Sequence, residues 1–313
     1  MIDIDMIERL HDAPASVRGV VTIEARDEAG RLVDRRILPN TYTNLAATEH
    51  ARALAGEPAT FALTHIGLGC GGATFDDGES VTGWTGAPTV DLTTFRQGMA
   101  SLRATANAST TTTCVKANAF LNYNATGATA IELWLRLALR GRFDLSASEV
   151  RIYTGGGTGA FFRASLAAIE AANGVVFQDA TWRHSRVPIA SFSVGAGAPN
   201  WANVTGIGFH VAANASGVAT LHWDAARTFE PIDTTAGATS VPNEPTRKAW
   251  TTRTRAGRVI TSDAFWTMAE AVDQYYVAGL YAGSVLVSIL PFAYYKAAGL
   301  TLRITWALTT NGG

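Results

Sequence analysis

Hydrophobic and polar residues alternate along most of the chain, and this period of two is typical of β-strands. The alternation from Val17 to Leu38, interrupted by the turn Asp27-Glu28-Ala29-Gly30, predicts a β-hairpin near the N-terminus. Residues 130–139 alternate most regularly. Their apolar face is formed by Ile131, Leu133, Leu135, Leu137 and Leu139. The pattern therefore predicts a mainly β chain.

Short alternating segments continue from residue 95 onward, separated by turns rich in glycine, threonine or asparagine. The predicted strands include Trp182–Pro188, Val204–Ala212 and Gly217–Trp223, and toward the C-terminus Trp250–Ile260, Phe265–Ala269, Tyr275–Tyr281, Val285–Leu290 and Leu300–Leu308. Many short strands joined by tight turns are typical of β-sandwiches and jelly rolls.

Two segments change to helical spacing. Residues 40–54 predict a short helix with Asn44 as its N-cap, and Gly56-Glu57-Pro58 ends it. Residues 164–172 predict a second helix, which Asn173-Gly174 ends.

The order of the segments indicates a domain insertion. Thr64 to Gly72 predicts a buried strand that runs into a glycine turn, and the C-terminal strands complete the same domain. We expect a jelly-roll β-sandwich inserted into a discontinuous β-rich (α+β) domain. Residues 1–75 plus 240–313 form the discontinuous domain and residues 76–232 the jelly roll. Residues 233–249 are expected to be a return linker, because they contain few large apolar residues.

Charge and targeting signals limit the possible partners. The 313 residues carry a net charge of −1, so no concentrated basic face for nucleic acid is expected. The N-terminus carries Asp3 and Asp5 where a signal peptide needs basic residues, and no apolar run reaches the ~18 residues of a membrane span. We therefore expect neither a signal peptide nor membrane insertion. Cys70 and Cys114 lack CxxC spacing, and a disulfide is not favoured.

Residues 79–230 carry a series of motifs found in the same order in a known family. The motifs are Val81-Thr82-Gly83-Trp84, Gly98-Met99-Ala100-Ser101-Leu102-Arg103, Glu132-Leu133-Trp134-Leu135, Pro199-Asn200-Trp201-Ala202-Asn203-Val204-Thr205-Gly206-Ile207 and Leu221-His222-Trp223-Asp224. In this order the stretch resembles the jelly-roll carbohydrate-binding modules of glycoside hydrolases and bacterial surface proteins. The resemblance implies the fold and leaves the ligand open.

Sugar binding requires aromatic rings presented flat, with polar groups nearby that hold hydroxyls. Trp84, Tyr153 and Trp182 are the carbohydrate-binding candidates, because polar loops surround them. Trp134 and Trp201 are further candidates, with a packing role as the alternative, which we favour for Trp201.

The same resemblance implies one structural calcium ion, held by a terminal aspartate and by carboxylates near the first strand. Asp224 occupies the terminal position, and Asp77 and Glu79 are the other metal candidates. Ala225 stands where a second acidic residue is common in the family, and this substitution disfavours the ion.

Catalytic arrangements find little support in the sequence. The histidines show no HxxxH or HxH spacing, so a metal cage is not predicted. Glu132, Glu149 and Glu170 would be the acid and base candidates of a glycan depolymerase, but no motif surrounds them. The chain is therefore not expected to be an enzyme.

The flanking segments carry a second resemblance. Asn44-Leu45-Ala46-Ala47, Thr64-His65-Ile66-Gly67-Leu68-Gly69, Tyr276-Val277-Ala278-Gly279-Leu280-Tyr281 and Lys296 to Trp306 are similar to motifs of bacteriophage tail and collar-fibre proteins. The resemblance implies a virion structural protein of the tail, baseplate, collar or capsid surface, located in the virion and assembled in the host cytoplasm. Its partners would be other virion proteins, copies of itself in trimers or hexamers, and a host surface glycan.

Two rival functions remain open at this point. One is a cellular glycan-binding module attached to a hydrolase complex, and the other is the glycan depolymerase already mentioned. The first would need an export route, and the second would need two carboxylates facing each other across a groove.

Overall fold

A computed structural model describes residues 17–44, 46–48, 63–120, 122–232, 235 and 237–310. The strands, in chain order, are β1 Val17–Arg26, β2 Leu32–Pro39, β3 Thr41–Tyr42, β4 Leu63–Gly69, β5 Thr74–Asp76, β6 Thr89–Asp91, β7 Ser101–Ala106, β8 Thr111–Lys116, β9 Ala130–Leu137, β10 Glu149–Thr154, β11 Phe161–Ser165, β12 Trp182–Pro188, β13 Ser193–Ala196, β14 Val204–Ala212, β15 Ala219–Phe229, β16 Thr246–Ala249, β17 Thr252–Ala256, β18 Val259–Trp266, β19 Asp273–Ala282, β20 Val285–Lys296 and β21 Thr301–Thr310. Helix α1 spans Leu166–Asn173, and 3-10 turns span Arg140–Arg142, Ile189–Ser191 and Trp201–Asn203.

The chain divides into two compact units. The outer unit consists of Met1–Cys70 and Ile232–Gly313, and the inserted unit is Gly71–Pro231. The sequence predicts that the inserted domain starts at residue 76, which is the last residue of β5. In the structure β5 pairs with β15 and so belongs to the inserted unit. The predicted fold class, a mainly β chain with an inserted jelly-roll sandwich, is confirmed.

The outer unit is a sandwich of two five-stranded sheets. Their strand orders are β17-β18-β21-β1-β2 and β16-β4-β19-β20-β3. Strand β1 pairs along its whole length with β21, from Val17 opposite Thr310 to Arg26 opposite Thr301. Apolar residues from both ends of the sequence fill one core, including Val21, Ile23, Ile66, Leu68, Trp266, Leu280, Ile304 and Trp306. Neither flank could bury its apolar faces without the other.

The segment predicted to be a return linker contributes to packing. Val241 and Ala238 are buried and form a small second cluster with Val277, Leu286 and Ile289 of the outer unit. Residues 246–249 form β16, which pairs with β4. The sequence prediction underestimated this segment, because one valine and one alanine suffice when they meet an apolar face that is already folded.

Two local predictions for the outer unit differ from the structure. Asn44 is already helical, and the Oγ1 of Thr43 accepts the backbone N–H of Ala46 at 3.2 Å, so Thr43 caps this turn. The rest of the predicted helix, residues 45 and 49–54, lies outside the described residues. The strand predicted at 250–260 is a hairpin of β17 and β18, because Gly257 adopts a φ of 58° and turns the chain.

The inserted unit is a second sandwich. One sheet has the order β13-β11-β10-β14-β8, and the other has the order β12-β9-β15-β7-β6, with β5 also pairing with β15. The inner faces share a core that contains Leu102, Leu135, Ile152, Phe209 and Trp223. Strands β12 and β14 have the predicted bounds. Helix α1 also follows its prediction and ends at Gly174, which has a φ of 62°.

Two features of β15 shape this unit. Its C-terminal part pairs with β5, and the N–H of Thr228 donates to the carbonyl of Ala73 at 2.8 Å, so the chain enters and leaves the unit at neighbouring points. Between Asp224 and Arg227 the strand contains a β-bulge, and Ala225 has a φ of 49°. The bulge aligns Asp224 with Trp134 and Arg227 with Glu132 of β9.

Candidate functional site

The outer face of the six-stranded sheet is polar and aromatic across its whole width. Inward positions of β9, β12 and β15 supply the core, and the alternate positions face outward. The outward side chains are Glu132, Trp134, Arg136, Trp182, His184, Arg186, His222, Asp224 and Arg227. Glu132, Trp134, His222, Asp224 and Arg227 are buried, whereas Arg136, Trp182 and His184 are partly exposed and Arg186 is exposed. The accessible polar and aromatic groups of this face therefore lie toward β12, where a binding site is expected.

A cleft of about 350 Å3 lies at the edge strand β12. It is lined by Trp134, Ile169, Asn173, Val175, Phe177, Trp182, Arg183, His184 and Ser185. Side chains from both faces of β12 line it, together with residues of α1 and the segment that follows α1. The volume falls within the ~300–1,000 Å3 of small-molecule sites.

Two tryptophans contribute to the apolar surface of the cleft, together with Ile169, Val175 and Phe177. Trp134 lies opposite His184 in the strand register, and their ring centroids are 5.0 Å apart. Trp182 lies two register pairs along, opposite Arg136, and so on the same face. The indole Nε1 of Trp182 is buried and has no hydrogen-bond partner among the described residues.

The walls of the cleft are held by hydrogen bonds. The N–H of Ala180 donates to the carbonyl of Leu137 at 2.8 Å, and the guanidinium Nε of Arg136 donates to the carbonyl of Ala180 at 3.1 Å. The N–H of Arg186 donates to Oδ1 of Asn173 at 3.0 Å, which ties β12 to the end of α1. A site fixed in this way loses little conformational entropy on binding.

A second set of contacts orients Arg136. Its Nη1 lies 3.1 Å from Nε2 of His222, and because a guanidinium can only donate, Nε2 accepts and Nδ1 carries the proton. That Nδ1 lies 3.3 Å from a carboxylate oxygen of Asp91. Burial, with a further contribution from Arg136, lowers the pKa of His222 to about 4, against the opposing effect of Asp91. The imidazole is therefore neutral at pH 7.

His184 is also neutral. Burial is the main cause, and the positive charges of Arg227 and Arg186 add to it, so the pKa of His184 is lowered to about 4. Arg186 itself is paired, since its Nε donates to Glu132 at 2.5 Å. A carboxylate oxygen of Glu132 lies 3.9 Å from Nε2 of His184.

The predicted sugar-binding residues do not lie together. Trp182 lines the cleft. Trp84 donates from Nε1 to Asp76 at 3.0 Å and packs against Trp223 in the core. Tyr153 is 2% exposed and belongs to the opposite sheet. Burial leaves the ring of Tyr153 no free face for a sugar.

The metal candidates bind backbone amides. The side chain of Asp224 accepts the N–H groups of Arg96 and Gln97 at 2.7 and 2.9 Å, and Glu79 accepts the N–H of Met99 at 2.8 Å. Asp77 accepts the N–H of Glu79. In the described part of the chain, no group of three or more His, Cys, Asp or Glu side chains is placed to hold a metal ion. The three candidates therefore do not fit a calcium site.

The catalytic candidates lie in three separate ion pairs. Glu132 pairs with Arg186, Glu149 with Arg151 and Arg163, and Glu170 with Arg140. Glu132 and Glu149 lie on different sheets, and Glu170 lies on α1. Cys70 and Cys114 are buried and do not form a disulfide with each other. No helix in the described ranges is long and apolar enough to span a bilayer.

Sequence reasoning missed Arg136, Arg183, His184 and His222. The alternation in β9 and β12 gives the side that each residue faces, but it does not give the strand that lies alongside. Strand β15 is far away in the sequence, and its bulge shifts the register.

Comparison with solved structures finds carbohydrate-binding modules. A family 11 module of a cellulosomal cellulase of Clostridium thermocellum is 13% identical, with 52% of this chain and 96% of that chain covered and a TM-score of 0.38. A family 30 module from a cellulosomal cellulase of the same organism is 12% identical over 55% and 97% of the two chains, with a TM-score of 0.35. A family 28 module described as specific for non-crystalline cellulose is 13% identical over 53% and 98%, with a TM-score of 0.33.

No protein-family model matches the chain, and no curated protein matches it. Because the identities and TM-scores of the solved structures are low, function has to be argued from the chain's own residues. These matches do not support the bacteriophage virion role expected from the flanking motifs, which stays a prediction.

Proposed function

We propose that this chain is a non-catalytic glycan-binding protein and that the cleft at β12 is its binding site. The observation that carries the proposal is the pairing of two indole rings, Trp134 and Trp182, with hydrogen-bond donors in one preformed cleft.

A sugar ring has an apolar face of C–H groups and a rim of hydroxyls. The first packs on an aromatic ring, and the second needs fixed polar partners. Trp182 offers the aromatic ring, since it lines the cleft, and Asn173 and His184 are polar residues of the same lining. The side chains of Arg183 and Ser185 add further polar groups along the same strand.

The chemistry of the cleft supports binding over hydrolysis. A glycosidase usually needs two carboxyl groups flanking the scissile bond. None of the described residues that line the cleft is Asp or Glu. The nearby Glu132 is fully buried and paired with Arg186. The role of a glycan depolymerase therefore lacks its acid and base at this site.

The test is a glycan array with the intact chain, covering neutral, uronate-containing and sulfated glycans, followed by calorimetry of Trp182→Ala. A sugar face on Trp182 covers roughly 60 Å2 of apolar surface, which at about 25 cal/mol per Å2 corresponds to about tenfold in affinity. We therefore expect Trp182→Ala to weaken binding at least about tenfold. Trp201→Phe is the control, because Trp201 stacks on Phe162 on the other sheet.

Binding by Trp182→Ala as tight as that of the unchanged chain would place the site elsewhere. An array with no glycan above background would refute the glycan-binding function itself.

A further inference from the structure

The lining of the cleft, in the residues that the structure describes, carries positive charge and no negative charge. Among the described residues that line it, Arg183 is the one that carries a permanent charge, and the lining contains no carboxylate. His184 is neutral at pH 7, because burial and the neighbouring arginines lower its pKa to about 4. A neutral ligand would leave the positive charge of Arg183 without a counter-ion in the cleft.

The side chain of Arg183 leaves its strand toward the core side of the sheet, and its Nε is buried. Arg183 is opposite Leu135 in the register, and the side chain of Leu135 lies in the core, so Arg183 leaves β12 on the core side of the sheet edge. Its Nε is buried and has no hydrogen-bond partner among the described residues. Burial of a charged donor without a partner costs stability.

The shape of the guanidinium favours a particular acceptor. Nε and the adjacent Nη of an arginine form a planar pair of donors, which matches the two oxygens of a carboxylate or sulfate. Arg183 lines the cleft and is partly exposed, so the planar donors of its guanidinium are what a ligand in the cleft would meet.

The surrounding face adds positive charge. Arg136 donates to the carbonyl of Ala180 and contacts the neutral His222, and neither partner is anionic. The nearby carboxylates are occupied. Glu132 pairs with Arg186 and Asp224 accepts backbone amides. Asp91 accepts the N–H groups of Thr93 and Thr94, and Glu170, which accepts the N–H of Phe177, pairs with Arg140. An anion in the cleft therefore meets arginines and no exposed carboxylate of this face.

We propose that the glycan bound at this cleft is acidic, with a carboxylate or sulfate group on the sugar seated against Arg183 and the sugar ring packed on Trp182. The inference rests on the proposed glycan-binding function and deepens it by naming the class of sugar.

The experiment measures the affinities of four tetrasaccharides by calorimetry with the intact chain. Tetragalacturonate and a hyaluronan tetrasaccharide carry carboxylates, a carrageenan tetrasaccharide carries sulfates, and cellotetraose is neutral. We expect at least one acidic probe to bind about tenfold or more tightly than cellotetraose, and its affinity to fall as salt rises from about 50 to about 200 mM. Comparing the carboxylate-bearing probes with the sulfate-bearing probe shows which of the two groups is recognised.

Two variants test whether Arg183 recognises the acidic group, and a third variant is the control. Arg183→Gln should lose about tenfold or more for the preferred acidic probe and should leave the affinity for cellotetraose unchanged. Arg183→Lys keeps the charge without the planar pair and should retain part of the preference. Arg163→Gln is the control, because Arg163 lies on the opposite sheet, where Glu149 keeps its pairing with Arg151. Urea unfolding of each variant separates lost binding from lost folding.

Equal or weaker binding of all acidic probes relative to cellotetraose would overturn the inference. An equal loss of acidic and neutral binding in a folded Arg183→Gln would also overturn it. Both outcomes would leave the glycan-binding function standing, whereas an array without any bound glycan would remove the function and the inference together.

Discussion

The inserted unit is expected to lose stability in acid because it buries two neutral imidazoles. Burial, reinforced by neighbouring arginines, lowers the pKa of both His184 and His222 from 6.5 to about 4. After unfolding each group returns to its ordinary pKa, so between these values the unfolded chain binds more protons than the folded one. The part of the unfolding free energy that depends on these neutral imidazoles is fully present above pH 6.5. It is lost as the pH falls from 6.5 toward 4.

The magnitude follows from the size of the shift. One pKa unit corresponds to about 1.4 kcal/mol, so crossing the window costs about 3 kcal/mol of unfolding free energy for each histidine. The side chains are 26% exposed for His184 and 5% for His222, so solvent screening makes the value an upper bound for His184. Together the two losses are comparable with the stability of an ordinary domain, about 5–15 kcal/mol.

Two measurements check the prediction. Ring-proton NMR between about pH 7.5 and 3.5 gives each histidine pKa directly. Urea unfolding at steps of pH gives the slope of stability, which His222→Gln should reduce by about 1.4 kcal/mol per pH unit within the window. His65→Gln is the control, because His65 lies in the outer unit. A ring of His222 that titrates near pH 6.5, or a slope that His222→Gln leaves unchanged, would refute the reasoning.

Two further predictions concern the hydrogen bonds of single side chains. Tyr281→Phe removes a hydroxyl that donates to Glu244 at 2.6 Å and accepts the N–H of Val241 at 3.2 Å. It should cost the outer unit about 1–3 kcal/mol in urea unfolding and speed proteolysis around residue 241, and unchanged cleavage would contradict the packing role of this segment. Ser165→Ala removes the N-cap of α1, which accepts the N–H of Ala168 at 3.1 Å, and should lower the unfolding free energy by about 1 kcal/mol, whereas Ser165→Asp should retain it.

Most strands could be read from the sequence, because alternation reports which residues face a core. Strands β12 and β14 were predicted at their observed bounds. The prediction for β9 ran two residues beyond its observed end. The glycine at 174 also gave the end of α1. Errors arose where tertiary contact decides the outcome, as in residues 233–249, where a composition poor in large apolar residues predicted a linker. The neighbouring sheet supplies the missing apolar surface.

The candidate site was predicted only in part. Trp182 was named because a polar loop precedes it; its ring lines the cleft, and its role in sugar binding stays a prediction. Trp84 and Tyr153 have similar loops, but long-range packing buries Tyr153 and places Trp84 against Trp223. The role of Arg183 depends on the burial of its Nε at the edge of a sheet, and no pattern within a single strand reports that burial.

In the inserted unit, the strands at the two ends of the sequence are neighbours, with β5 paired to β15. A module whose entry and exit points adjoin imposes little loop-closure entropy on its host, whatever the length of chain between them. The outer unit needs only to keep the register of β4 and β16 on either side of the gap. One sandwich could therefore be exchanged for another of different ligand preference by recombination at residues 71 and 231, with the host sheets unchanged.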